Sequence, residues 1–385
     1  MGLPSMNHMG LEIEKAENIY LYDWKGNRYT DLISGVSVSN LGHLHPAVVK
    51  AIKDQLDKYM HLMVYGEFIQ APQVQLSNLL SENLPAKLEC TYSVNSGCAA
   101  IEGAIKLAKR YTGRREIAAF SNAYHGGTHG ALSILGDERL KNAFRPLIPG
   151  VIKLEFNNPD SLLSISEETA CVVAETIQAE AGIILPEKGF LKKLRERCDE
   201  TGTLLIIDDI QMGFGRTGKL FSFEHFDIEP DILCLAKAMG GGMPVGAFIS
   251  SREIMRSLTS KPELGHITTF GGHPVSCAAS LATLRVLLDG ELIQQAEEKG
   301  KFFRKSLIPH QAVKEIRGKG LMLAVEIHDP SKINPLFKSF MDHNLIVDRF
   351  LFNNNAFRIA PPLIINQQQI EETCHTLLNC LDKII

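Results

Sequence analysis

Two side chains in the middle of the chain stand where an acid and an amine can work on one ligand. Asp208 follows the apolar run 204–207, and Lys237 follows the run 232–236. Both runs are short, continuous and unalternating, the pattern of strands buried on both faces of a parallel sheet. Ligands of open α/β sheets bind outside the carboxyl ends of the strands, so charges at two strand exits can face one site. Other groups recur at the same kind of place. Residues 90–94 read as a strand, Asn95-Ser96-Gly97 as a tight turn and 98–111 as a helix, with Ile101, Ile105 and Ala108 on one face. Free backbone N–H groups and the positive end of a helix dipole meet in such a turn, which suits an anion. Tyr124, just beyond the strand at 117–120, can stack on a flat ring. Glu175 and Glu180 follow the strand at 172–174 in the stretch ETIQAEAG. Taken singly, each has an ordinary reading as well: a plain βα connection, a packed tyrosine, a pair of solvated loop acids.

The elements that must position these groups are strands near 90, 117, 172, 204, 232 and 245, separated by helical segments. That alternation predicts a large mixed or parallel sheet. Ahead of it, residues 19–32 read as a hairpin turning at Lys25-Gly26-Asn27, followed by a Gly/Ser/His loop and a helix over 46–62 that starts on Pro46. From about Glu291 the order becomes helix, strand, strand, helix, strand, helix, which suits a smaller α+β domain. The expected division is 1–45 as an N-terminal part of the small domain, 46–290 as a large ligand-binding domain, and 291–385 as the C-terminal small domain.

Three motifs in or near the centre imitate other chemistries. GFGRTG at 213–218 fits the glycine pattern of a dinucleotide loop, but that loop must open a helix directly after its strand, and Asp208 to Met212 intervene. The same stretch nearly spells a phosphate-binding loop, with Leu220 where a magnesium-binding hydroxyl belongs. His43 and His45 form an HxH pair with no further ligand at a recognisable spacing, so no metal is expected.

Bulk properties narrow the class further. The 385 residues are 45% hydrophobic and 22% charged with a net charge of -4, an ordinary balance that disfavours a nucleic-acid partner. Eight cysteines without a CxxC pair read as reduced thiols. No apolar run of about 18 residues predicts a membrane span, and no basic-then-apolar leader opens the chain. A cytoplasmic enzyme is the expectation.

Asp208, Gln211, the GFGRTG loop, Lys237 and Gly240-Gly241-Gly242 together resemble the class III aminotransferases, pyridoxal-phosphate enzymes of fold type I. NSG before a helix, YHG, ETIQAEAG, HITTFGGHP and FRIAPPL resemble further blocks of that family, in the family's order. The resemblance implies an α/β fold with a large, mostly parallel sheet flanked by helices and a smaller α+β domain. It implies that Lys237 carries pyridoxal 5'-phosphate covalently and shuttles a proton, and that Asp208 pairs with the pyridine nitrogen. By the same match Gln211 bonds the phenolic oxygen, Gly97 and Cys98 offer N–H groups to the phosphate, and Tyr124 stacks on the ring. Thr269 matches a threonine that reaches the phosphate of a neighbouring subunit, which implies a homodimer with shared sites. Arg358 matches the arginine for the substrate α-carboxylate, and Glu180 a glutamate that pairs with it and masks it.

The implied reaction is a ping-pong transamination from an ω-amino acid, N-acetylornithine or ornithine, to 2-oxoglutarate. The alternatives are an aminomutase or racemase with the same cofactor, an idle cofactor-binding protein and, more distantly, a nucleotide-binding protein. The chain departs from the family at Asp209, Thr176, Cys98 and His273. It departs most consequentially at Gly127, where many members have an arginine that helps bind a carboxylate. Val36 falls where the ornithine type has a tyrosine and the acetylornithine type an aliphatic residue. Donor choice is expected to depend on side chains near Val36, Tyr65 and Gly127.

Overall fold

Successive residues of the central apolar runs pack into different cores, which is why the runs do not alternate. In the computed structural model, which describes residues 9–64 and 66–385, Leu205, Ile207, Leu233 and Leu235 enter one hydrophobic cluster. Leu204, Ile206, Ile232 and Cys234 enter another. A strand with both faces dry has no room for polar residues between its apolar ones.

The strands in chain order are β1 (Ile13–Glu17), β2 (Tyr20–Asp23), β3 (Arg28–Asp31), β4 (Cys90–Val94), β5 (Glu116–Phe120), β6 (Val151–Leu154), β7 (Thr169–Ala174) and β8 (Leu204–Asp208). They continue as β9 (Ile232–Ala236), β10 (Gly246–Ser250), β11 (Val313–Lys319), β12 (Met322–Ile327), β13 (Leu345–Ile346), β14 (Asp348–Arg349) and β15 (Ala356–Ile359). A seven-stranded sheet has the order β4-β10-β9-β8-β7-β5-β6. Only β10 runs against the rest, pairing antiparallel with both β4 and β9. The carboxyl ends of β4, β5, β7, β8 and β9 therefore emerge on one side, and the functional groups gather there.

The helix Gly97–Thr112 lies against this sheet with Ala100, Ile101, Ala104, Leu107 and Ala108 buried. Its close approach requires Gly103, where an added Cβ would meet Phe248 Cε1 at 2.2 Å. The helix Pro274–Asp289 packs against Pro46–Leu56 and Ala71–Glu82. Two four-stranded sheets flank the large one, with orders β1-β2-β3-β13 and β11-β12-β15-β14. The N-terminal hairpin thus takes its fourth strand from late in the chain, Leu345 and Ile346 pairing parallel with Thr30 and Asp31.

The GFGRTG stretch opens no helix. It is a buried loop whose Arg216, fully enclosed, donates to the carbonyls of Leu321 (3.0 Å) and Pro361 (2.5 Å) and to Asn40 Oδ1 (2.5 Å). The loop therefore fastens the large sheet to the flanking segments. Two local expectations change. The helix expected over 46–62 ends at Leu56, short of Tyr59, which continues the helical spacing of Val48, Val49, Ile52 and Leu56; Met60 and Leu62 beyond it are exposed. The large sheet also has one strand more than expected, the short edge strand β6. No helix among the described residues is long and apolar enough to cross a membrane.

Candidate active site

Asp208 is the last residue of β8, and its carboxylate is held from two sides. Oδ1 accepts the Ile210 N–H at 3.1 Å, and Oδ2 lies 2.7 Å from His125 Nδ1 in a buried hydrogen bond. Burial disfavours the charged imidazole, but the Asp208 carboxylate, helped by Glu175, outweighs it and raises the pKa of His125. His125 Nε2 has no hydrogen-bond partner among the described residues. At the exit of β7, Glu175 accepts the N–H groups of Tyr124 (3.0 Å) and Ala179 (2.8 Å). Burial pushes its carboxyl up to about 7, with the His125 charge pulling the other way.

Lys237 follows β9 directly, with a positive φ of 49°. Burial lowers the pKa of its amine, with Glu180 opposing and Arg358 reinforcing the shift. The neutral, nucleophilic form is therefore easier to reach here than on an exposed lysine. Lys237 and Asp208 line one cavity of about 430 Å³, together with Gly97, Cys98, Tyr124 and Gln211. At its far wall the helix Gly97–Thr112 begins. Ser96 caps it, Oγ accepting from Ala99 N at 3.2 Å and the carbonyl from Ala100 N at 3.1 Å. The Gly97 and Cys98 N–H groups have no such partner among the described residues and are left for an anion. A Cβ on Gly97 would stand 3.0 Å from Ile210 Cδ1, so a side chain there would crowd the cavity wall. Gln211 Nε2 is buried without a partner, a donor in want of an acceptor.

Arg358 and Glu180 are not among the residues lining this cavity, but they pair with each other. Arg358, fully buried on β15, donates from Nη2 to Glu180 Oε1 at 2.6 Å and lies over the Phe350 ring at 4.7 Å. Glu180 Oε2 also accepts the Leu351 N–H at 3.2 Å. Both charges lie near enough to act on the Lys237 amine. Thr269 is exposed in a turn and does not line this cavity. Gly127 faces open space, Val36 is exposed, and Tyr65 lies outside the described residues.

Sequence reasoning did not single out His125 or Asp348. His125 had a signal, its place inside the YHGG stretch at a strand exit. Asp348 had none, because its nearness to Arg358 comes from strand pairing alone.

The pattern of the family described as aminotransferase class-III matches residues 3–381. The chain is 39% identical to an acetylornithine aminotransferase of Methanopyrus kandleri over 95% of this chain and 93% of that one. It is 36% identical to one of Archaeoglobus fulgidus over 95% and 94%. Among solved structures, an ornithine aminotransferase from Toxoplasma gondii superposes with a TM-score of 0.90 at 28% identity, covering 99% of this chain and 92% of that one. A taurine:2-oxoglutarate aminotransferase from Bifidobacterium kashiwanohense, solved with PLP and glutamate, gives 0.90 at 30% identity, covering 99% and 95%. With the acid, the lysine and a helix N-terminus gathered where the strands of the large sheet end, and with the family pattern matched over residues 3–381, the chain belongs to the class III aminotransferases.

Proposed function

We propose that the chain is a pyridoxal-phosphate-dependent aminotransferase that moves the terminal amine of an ω-amino acid to a 2-oxo acid at a single site. N-acetylornithine or ornithine is the donor, and 2-oxoglutarate the acceptor. One observation carries the reading: Lys237 and Asp208 share a cavity whose wall presents two unpaired helix-end N–H groups. These residues fit the cofactor, since the unpartnered Gln211 Nε2 supplies a donor for a phenolic oxygen and the amides of Gly97 and Cys98 a cradle for a phosphate. Bound there, pyridoxal phosphate supplies the electron sink that stabilises a carbanion at the carbon bearing the amine.

The chain's own groups do the rest. Lys237 would hold the cofactor through Nζ, and its amine, eased towards neutrality by burial, takes and returns the proton at the substrate carbon. Asp208, fixed by His125 and the Ile210 N–H, would pair with the cofactor's ring nitrogen. Tyr124, in the cavity wall, would cover the ring. Arg358, once Glu180 moves off it, forks onto the acceptor's α-carboxylate. Thr269 serves a neighbouring copy in a homodimer, a reading supported by the exposed apolar side chains of Met60, Phe68, Ile69 and Phe270. Residues 46–290 form the cofactor domain, with 1–45 and 291–385 together closing the substrate end, which the β3–β13 pairing supports.

The donor assignment rests on the acetylornithine aminotransferases at 36–39% identity. The test is a panel of amine donors with 2-oxoglutarate or pyruvate. A terminal amine should yield one glutamate or alanine per donor consumed, which an aminomutase or racemase would not. Lys237→Ala should lose the cofactor's visible lysine-bound band and about 10³-fold or more of the turnover. Retention of either, or no amine transfer from any donor, rules the proposal out.

A further inference from the structure

Arg358 has two acids beside it, and masking by Glu180 explains only one. While Nη2 is bonded to Glu180, Nη1 lies 3.6 Å from Asp348 Oδ2, within ion-pair range but beyond a hydrogen bond. Neither Nη1 nor Nε of this fully buried arginine has a hydrogen-bond partner among the described residues. Asp348 and Arg358 are directly opposed across the antiparallel pair β14–β15, so the pleat sends both side chains to the same face. Asp348 Oδ1 accepts the Arg349 N–H at 2.8 Å, which steadies the carboxylate with Oδ2 towards Arg358. The charged groups that act on Asp348 are Arg358, Glu180 and Lys237, together with Arg349, whose guanidinium lies over the Phe337 ring at 4.1 Å.

An acid that served only to aim the guanidinium would accept a hydrogen bond from it, and Asp348 does not. It stands near enough to add negative charge and too far to fix the fork. A carboxylate arriving at Arg358 must displace Glu180 and then still meets Asp348, like charge against like charge in a buried setting. A terminal amine, with no carboxylate on its reacting carbon, meets neither acid.

We propose that Asp348 is a specificity-determining residue. It weakens carboxylate binding at Arg358 and so favours donors whose reacting carbon bears no carboxylate over α-amino acids. The consequence for donor choice rests on the aminotransferase reading; the effect on carboxylate binding does not.

Calorimetric titration of the holoenzyme with glutarate, a dicarboxylate with neither amine nor carbonyl to react, separates the two. Asp348→Asn should bind glutarate on the order of a hundredfold tighter than the unaltered protein, the scale of removing one like charge about 6 Å away at an effective dielectric near 20. Asp348→Ser should do the same, which covers the case of one variant folding poorly. The gain should persist in a Glu180→Gln background, because the two acids attend different nitrogens, and should vanish with Arg358→Ala. In the catalytic arm, Asp348→Asn should raise kcat/KM for glutamate as donor relative to a terminal amine. Unchanged or weaker glutarate binding by both folded Asp348 variants overturns the proposal. Tighter glutarate binding in a protein that transfers no amine would uphold it while removing the aminotransferase reading.

Discussion

Replacing Arg216 by methionine tests how the walls of the site are joined. The arginine stands in the loop after β8 and donates to Leu321 O, Pro361 O and Asn40 Oδ1, groups that lie ahead of β12, after β15 and before Pro46. Its own carbonyl accepts the Leu321 N–H at 3.0 Å. Methionine fills much of the same space but leaves three acceptors without a donor in a dry interior, at about 1–3 kcal/mol each. Against that, the variant no longer buries a guanidinium, whose pKa burial drags down to about 9. The net loss should be about 3 kcal/mol. A chain of this length unfolds with an entropy of roughly 0.8 kcal/mol per kelvin, so Tm should fall by about 4 °C. Scanning calorimetry of the holoenzyme measures the shift, and hydrogen exchange at the Leu321 amide reports whether the loss is local. A Tm within about 1 °C of the unaltered protein, with that amide still protected, would refute the idea that Arg216 bonds the segments together.

Two further predictions concern the packing beneath the site. Burial pushes the Asp209 carboxyl up to about 7 from the ordinary 3.8. Between those values the folded protein keeps the proton that the unfolded chain has released, so stability falls as pH rises through that window and levels off above it. Asp209→Asn keeps an acceptor for the Ser222 N–H and lets the Ser222 hydroxyl turn towards Thr176, 2.5 Å away. It should gain about 2 kcal/mol at pH 8 and flatten part of the slope; a lower Tm than the unaltered protein at pH 8 contradicts this. Gly103→Ala drives a methyl into Phe248, a ring stacked on Tyr92 at 4.8 Å between centroids. Overpacking of about 1–3 kcal/mol should outweigh alanine's better helix propensity, and a rise in Tm would show that the helix can move aside.

What the sequence made legible follows from what each residue reports locally. The runs ending at Asp208 and Lys237 were readable because burial on both faces leaves a strand no polar positions, and a charge at its end marks the exit. The helix at Gly97 announced itself through small residues at its start and apolar residues on one face. Direction is another matter. GAFIS is as apolar as its neighbours, and nothing in it says that β10 runs against them. The edge strand β6, four residues with one exposed lysine, carries too little pattern to separate from a loop. Tyr59 kept helical spacing with Leu56 although the helix had already ended, so periodicity there misreported the helix end. At the site, the chemistry of Asp208 and Lys237 was visible, whereas the His125 bond to Asp208 joins residues 83 apart in sequence and the Asp348 contact with Arg358 depends on how two short neighbouring strands pair. Only sheet order and strand register create them.

On the ribosome, β3 waits for β13. Thr30 and Asp31 are made early and find Leu345 and Ile346 only when most of the chain has followed, roughly 15 to 60 s later at ordinary synthesis rates. The loop hung from Asp31, whose Oδ1 accepts the N–H groups of Ile33 and Ser34, is also tied by the Ser34 hydroxyl to the carbonyl of Ala360. Val38 in that loop lines the cavity. A nascent chain can therefore complete its seven-stranded sheet while this wall is still unanchored, and the pocket takes its final shape among the last events of biogenesis. Ribosome-bound chains stalled before residue 345 should carry the lysine and the acid in place yet hold the cofactor loosely, which makes maturation of the pocket a timed step.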